Sequence, residues 1–187
     1  GSAWSQLGSD IDGEAAGDQF GYSVSLSHDG SIVAIGARFN DGNGSNSGHV
    51  RVYQYNNSSV WTQLGSDIDG EAADDRFGYS VSLSYDGNIL AIGGRLNDAN
   101  GSNSGHTRIY EYSNSSWSQL GSDIDGEAAD DHSGWSVSLS DDGSIVAIGA
   151  VFNDGNGSNS GHVRVYQYNN SAWTQLGSDI DGEATGD

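Results

Sequence analysis

The first clear pattern in the chain is "YSVSLS" at 22–27, where Tyr22, Val24 and Leu26 alternate with Ser23, Ser25 and Ser27. A period of two predicts a β-strand with one apolar face. "HDGS" follows, and its Asp-Gly pair supplies the positive φ that a tight hairpin needs. "SIVAIGA" at 31–37 is apolar almost throughout, as a strand covered on both faces would be. A polar loop, "NDGNGSNSG", leads to a third strand, "HVRVYQY" at 49–55, and an Asn/Ser turn leads to a fourth, "WTQLGSDI" at 61–68. We refer to these as strands A, B, C and D. No segment has helical periodicity, and the 29 glycines punctuate the chain heavily. The expected fold class is all-β.

The pattern returns. Trp4, Trp61, Trp117 and Trp173 each head a version of "WSQLGSDIDGEA", spaced 57, 56 and 56 residues apart, with Val60 as the extra residue in the first interval. Residues 1–187 read as one repeat array, with units at approximately 18–66, 75–122 and 131–178 and an extra N-terminal strand at 4–11. Four short strands per unit, radially repeated, are the mark of a β-propeller of four-stranded blades. A parallel β-helix is the rival, but its coils are shorter and lack four hairpin-linked strands. The Ser face of strand A would leave room for the Tyr/Val/Leu face of the next blade. Propellers have about four to eight blades, so three blades plus one extra strand cannot close a ring. Left alone, they expose unpaired strand edges. The expected remedy is a homodimer that closes six blades; a fragment of a longer array is the alternative.

Charge narrows the partners. Six cationic residues, all Arg, stand against 26 acidic ones, for a net charge of −20. That balance excludes nucleic acid and anionic membrane surfaces, which need a positive footprint. It suits a divalent cation or a basic protein surface. There is no Cys for a disulfide or thiolate site, and no apolar run long enough to insert in a bilayer. No signal peptide is present; the opening Gly-Ser and the absence of Met read as a cleaved terminus, from which a leader or further repeats would have been removed.

These residues resemble a known family. "FGYSVSLSHDGSIVAIGA" is similar to the FG-GAP repeat, the blade unit of integrin α-subunit propellers and of many surface proteins. Phe20-Gly21 and Phe77-Gly78 match its FG element; "AIGA" at 34–37 and 147–150 and "AIGG" at 91–94 match its GAP element without the proline. Copy three departs, with Ser133 in place of the Phe. The hairpins "SHDGS", "SYDGN" and "SDDGS" lack the family's D-x-D-x-D-G-x-x-D calcium loop, so that site does not carry over. The resemblance implies an interaction or adhesion module at a cell surface or outside the cell.

The acids themselves raise a separate question. Strand parity puts "DIDGEAAGD" and "NDGNGSNSG" on one face. Asp10, Asp12, Glu14 and Asp18 stand at positions 1, 3, 5 and 9, the oxygen-ligand rhythm of many calcium loops. Asp67, Asp69, Glu71 and Asp75 repeat the set, as do Asp123, Asp125, Glu127 and Asp131. Ca²⁺ is thus the candidate cofactor, with an acidic solvated turn as the safer reading. Asp41, Asn43 and Ser45 form a weaker second set. His49, His106 and His162 open strand C and read as backbone-bonded rather than metal-bound. Trp61, Trp117 and Trp173 are candidate stacking platforms for a glycan, as in lectin propellers, or else cover blade edges. With no Lys, no phosphate loop and no nucleophile motif, the chain is not expected to be an enzyme. The function expected is a self-assembling module for protein interaction. A carbohydrate-binding propeller is one alternative, and an engineered or excised self-assembling fragment is another.

Overall fold

The computed structural model describes residues 3–56 and 58–186. The opening Gly-Ser pair, Asn57 of the first Asn/Ser turn and the final Asp187 lie outside the described residues. The first blade consists of β1 (Ser23–Leu26), β2 (Ile32–Ala37), β3 (His49–Tyr55), β4 (Trp61–Gln63) and β5 (Ile68–Asp69). The second holds β6 (Phe77–Leu83), β7 (Ile89–Gly94), β8 (His106–Ser113), β9 (Ser116–Gln119) and β10 (Ile124–Asp125). The third holds β11 (Ser133–Leu139), β12 (Ile145–Ala150), β13 (His162–Asn169), β14 (Ala172–Gln175) and β15 (Ile180–Asp181). Each is an antiparallel sheet in the order A-B-C-D, and no helix occurs among the described residues.

Strand D differs from the continuous strand that the sequence suggests. β4 pairs with the far half of β3, while β5 pairs with its start through His49↔Asp69 and Val50↔Ile68. Between them the chain turns at Gly65, whose φ of +72° a side-chain-bearing residue adopts only with strain. The A–B hairpin is as expected: Gly30 has φ +71°, and Asp29 accepts bonds from Ser27 Oγ and the Ser31 amide at 2.8 and 2.9 Å.

The core lies between blades. Ile32, Ala34, Val50, Val52 and Ile68 of the first pack against Phe77, Leu83, Leu90 and Ile92 of the second. Ala91, Ile109 and Ile124 pack likewise on Val146 and Ile148 of the third. β2 is buried at every position, which explains its unbroken apolar run.

Strand A supplies a polar joint beside this core. Ser23 and Ser80 donate from Oγ to the carbonyls of Gly78 and Gly134 in the next blade, at 2.7 and 2.8 Å. In return the Leu83 and Leu139 amides donate to Ser25 and Ser82 Oγ, each at 3.0 Å. The serine face therefore bonds its neighbour and does more than leave it room. Glycine in strand B permits the approach: a Cβ on Gly36 or Gly93 would sit 2.2 or 2.1 Å from those same carbonyl oxygens.

The loops join on one face, as parity requires. Asn43 donates to the Gly70 carbonyl at 2.9 Å and Asn46 to Asp74 at 2.9 Å; Asn100 and Asn103 repeat these bonds to Gly126 and Asp130. One expectation fails. Residues 4–11 form no strand, and Trp4 is fully exposed. A D strand needs the C strand of its own blade, and no strand among the described residues pairs with this segment. The segment nevertheless docks on blade one, where Trp61 Nε1 donates to the Leu7 carbonyl at 2.9 Å.

Two substitutions test the joint. Phe77→Ala, which empties a fully buried ring, is expected to cost about 3–5 kcal/mol. Gly93→Ala, whose Cβ would meet the Gly134 carbonyl as well as Ser80 Oγ, is expected to cost about 1–3 kcal/mol. Chemical denaturation measures both.

Candidate functional site

The start of strand C and the D–A loop build the same cluster three times. In "GHVRV" the His and Arg are two residues apart, so both point to one face of the strand. β5 returns beside them and brings two aspartates, while a glutamate arrives from the loop that enters the blade. The first cluster is Glu14, His49, Arg51, Asp67 and Asp69; the second is Glu71, His106, Arg108, Asp123 and Asp125. The third holds Glu127, His162, Arg164 and Asp179.

The guanidinium is the outer clamp. Arg51 donates from Nε and Nη2 to the two oxygens of Asp67, both at 3.0 Å, and pairs with Glu14 Oε1. Gln63 adds a bond to Asp67 at 2.7 Å. Arg164 clamps Asp179 with Glu127 in the same way, whereas Arg108 pairs with Glu71 and sends both Nε and Nη2 to one oxygen of Asp123, Oδ2. The imidazole lies inside. His49 Nδ1 is 3.9 Å from Glu14 Oε2, 3.8 Å from Asp67 and 4.0 Å from Asp69. His106 Nδ1 is 3.8 and 3.7 Å from Glu71 and Asp123, and His162 Nδ1 repeats those distances to Glu127 and Asp179. All three imidazoles are buried, and Nδ1 of His106 and of His162 makes no hydrogen bond. Phe20 and Phe77 set an edge-on ring against His49 and His106, a contact that Ser133 cannot offer His162.

Electrostatics divides the two aspartates. Burial pushes Asp69 and Asp125 above the usual carboxylate range. Burial also works against Asp67, but Arg51 and Gln63 outweigh it and hold that carboxyl low. Asp123 is held lower still by His106, Arg108 and Gln119 against the cost of burial.

The 1-3-5-9 acids are not gathered into one loop site. Asp67 and Asp69 face their own blade, Glu71 crosses to the next, and Asp75 folds back into a buried cap. There its carboxylate accepts the Ala72 amide and the Asn97 side chain, each at 3.1 Å. Asp18 and Asp131 form equivalent caps with Asn40 and Asn153. Asp10 and Asp12 are exposed, and Asp10 accepts from the Gln6 side chain at 2.8 Å. The second candidate set is committed to loop structure: Asp41 accepts the Asn46 amide at 2.7 Å, and Asn43 serves Gly70.

Three of the five tryptophans do edge-covering work. Trp61, Trp117 and Trp173 donate Nε1–H to Leu7, Leu64 and Leu120 carbonyls at 2.9, 2.9 and 2.7 Å, and tilt against Tyr55, Tyr112 and Tyr168. Beside two of them lie clefts of about 230 and 310 Å³, one lined by Asp67, Asp69, Tyr110 and Trp117, the other by Asp123, Asp125, Tyr166 and Trp173. Sequence reasoning missed the arginines. Arg51, Arg108 and Arg164 recur two residues after each His, a signal visible in the repeat. The remaining three stack on rings: Arg38 on Tyr22 at 3.7 Å, Arg95 on Tyr79 and Trp135, and Arg76 on Phe39.

The model of the FG-GAP repeat matches residues 10–53, 67–110 and 123–166. The chain belongs to the FG-GAP repeat family. Each matched unit opens at the acidic loop and runs through the Arg of strand C. Every cluster therefore takes its Glu, His and Arg from one FG-GAP unit and its aspartates from the segment beyond that unit. A search of curated proteins gave no match. Among solved structures, the FG-GAP chain is similar to Kuenenia stuttgartiensis hydrazine synthase at 12% identity and a TM-score of 0.49, over 94% of this chain and 42% of that one. It is also similar to the periplasmic gluconolactonase PpgL of Pseudomonas aeruginosa, at 14% identity and a TM-score of 0.48, over 85% and 56%. An acylaminoacyl peptidase of Pyrococcus horikoshii aligns at 13% identity and a TM-score of 0.45, over 83% and 24%. The FG-GAP chain thus spans about half or less of each. These names correct one expectation: the structures it resembles include enzymes, so the exclusion of enzymatic activity does not stand. At such identity the likeness concerns the fold and assigns no reaction.

The clusters set an acid response. Carboxyls held low in the fold, Asp67, Asp123 and Asp179, stabilise it above the unfolded value of about 3.9, and that contribution is lost as pH falls. Asp69 and Asp125, raised by burial, act with the opposite sign and stabilise the fold only once protonated. Asp123→Asn is therefore expected to flatten the acid limb of a stability profile taken from about pH 6 to pH 2. It should also cost about 1–3 kcal/mol at neutral pH by leaving Arg108 underpaired. An unchanged limb would contradict the assignment.

Proposed function

We propose that this FG-GAP chain is a self-assembling propeller module. In this reading the trailing side of blade three docks on the leading side of blade one in a second copy, and two chains close a six-bladed ring. Three chains would give nine blades, outside the usual range of about four to eight. The acidic loops then encircle one face and serve as a surface for protein interaction or adhesion.

The supporting observation is an asymmetry of exposure between equivalent residues. Leu26 is 60% exposed, whereas Leu83, its counterpart inside the series, is 8%. Ile180 is 61% exposed, against 6% for both Ile68 and Ile124. Blade three also carries a complete joint with nothing on it. Ser136 and Ser138 stand where Ser23 and Ser25 bond the next blade, and Gly149 stands where Gly36 admits a carbonyl. In a second copy the matching groups are the Gly21 carbonyl and the Leu26 amide. The N-terminal segment 3–15 and the last D segment 172–184 differ only at Ser5 against Thr174, so one must yield its place at each junction.

Gly149→Ala separates folding from assembly. Within one chain its Cβ meets only Ser136, so the fold is expected to persist. Across the proposed junction it would strike the Gly21 carbonyl. Light scattering on a sizing column should find this variant near 19.5 kDa and the parent chain near twice that mass. Equal masses for the two would sink the proposal.

The Trp clefts favour a second reading, glycan binding between blades. Each offers an aromatic platform, Trp117 or Trp173, beside carboxylates that can accept sugar hydroxyls. Binding on a glycan array that disappears in Trp117→Ala, with circular dichroism unchanged, is the expected result; silence across a broad array would remove this reading.

A further inference from the structure

We propose that the three Glu–His–Asp clusters are divalent transition-metal sites, one per blade, suited to a Zn²⁺-class ion rather than to calcium. Glu14, His49 and Asp67 each bring one donor atom within 4.8 Å of the others, as do Glu71, His106 and Asp123, and Glu127, His162 and Asp179.

Three observations converge. First, the imidazole is buried and aimed at the carboxylates, yet its Nδ1 in His106 and His162 has no hydrogen-bond partner. A buried polar atom left unpaired is costly, and an ion among these donors would satisfy it. Second, each glutamate is divided in function. One oxygen meets the Arg, and the other faces the His: Oε2 in Glu14 and Glu127, Oε1 in Glu71. The guanidinium thus holds the glutamate by its outer oxygen and leaves the other toward the His, beside an aspartate Oδ2 that the Arg Nη2 also bonds; in the second cluster that glutamate oxygen also accepts from Asn97 at 2.9 Å. Third, the charges do not cancel. In the first two clusters one Glu and two Asp oppose a single Arg, a surplus of two negative charges when His is neutral, which a divalent ion balances.

The donor set then selects the ion. Calcium takes oxygen ligands in sixes to eights, and a buried imidazole offers it nothing. One nitrogen with two or three carboxylate oxygens is the set of Zn²⁺ and its neighbours. The second cluster lies within one chain, so its test does not depend on ring closure.

The chain is stripped with chelator and titrated by calorimetry with Zn²⁺ and, in parallel, with Ca²⁺; Co²⁺ is used as an optical probe. The expected result is three Zn²⁺ ions per chain, visible Co²⁺ absorption, and a thermal midpoint raised by about 5–10 °C for each site filled at a hundredfold excess over Kd. Millimolar Ca²⁺ should leave the midpoint unchanged. His106→Gln should lower the stoichiometry by one ion; if it fails to fold, Glu71→Gln, which alters only a partly exposed group, serves the same purpose. The proposal is overturned if Zn²⁺ does not bind, if Ca²⁺ stabilises equally well, or if the stoichiometry survives loss of His106 or Glu71.

Discussion

Everything in this molecule depends on how closely one blade can approach the next. The approach is set by a serine hydroxyl that reaches a neighbour's backbone carbonyl and by a glycine that leaves space for that carbonyl. Hydroxyls at Ser23 and Ser80 satisfy the Gly78 and Gly134 carbonyls, polar groups that would otherwise be stranded beside an apolar core. Replace the glycine, and the hydroxyl can no longer reach; remove the hydroxyl, and the carbonyl loses its donor. The apolar packing of Ile32, Val50 and Phe77 supplies the attraction, but the serine–glycine contact fixes the spacing. That spacing in turn puts Glu71, carried by the linking loop, within reach of His106 and Arg108.

Much of the fold is legible in local pattern. Strand C reads at 49–55 as observed, strands A and B within a residue at each end, and the Asp-Gly hairpins fall where they are expected. These elements follow from periodicity and turn chemistry, which are local. Strand D is less legible, because Gly65 breaks it in a segment whose alternation looks continuous. The N-terminal copy of the same motif shows the limit more sharply. Residues 4–11 repeat strand D almost letter for letter and still form no strand, because pairing needs a partner that the motif does not contain.

The site is harder to read for a related reason. Asp67, Asp69, Glu71 and Asp75 look like ligands from one loop, yet the chain distributes them among a blade, its neighbour and a buried cap on Asn97. Spacing along a loop says little once the loop crosses from one sheet to another. The signal that could have pointed to the cluster is the repeated His-x-Arg of strand C, whose two side chains must share a face. A His with an Arg two residues away, repeated in every blade beside a set of acids, calls for a common partner.

The same joint that orders the interior also defines the ends. Blade three presents Ser136, Ser138 and Gly149 with no neighbour, and blade one presents the strand that such a set receives elsewhere in the chain. The most direct measurement is hydrogen exchange at single amides in the native protein. Within the chain, Leu83 and Leu139 donate to serine hydroxyls of the preceding blade, and the Leu26 amide is their counterpart at the free end. If the ends join as proposed, Leu26 exchanges as slowly as Leu83 and Leu139. If Leu26 exchanges as an open strand edge while the other two stay protected, the joint ends with the chain and the ring does not close this way.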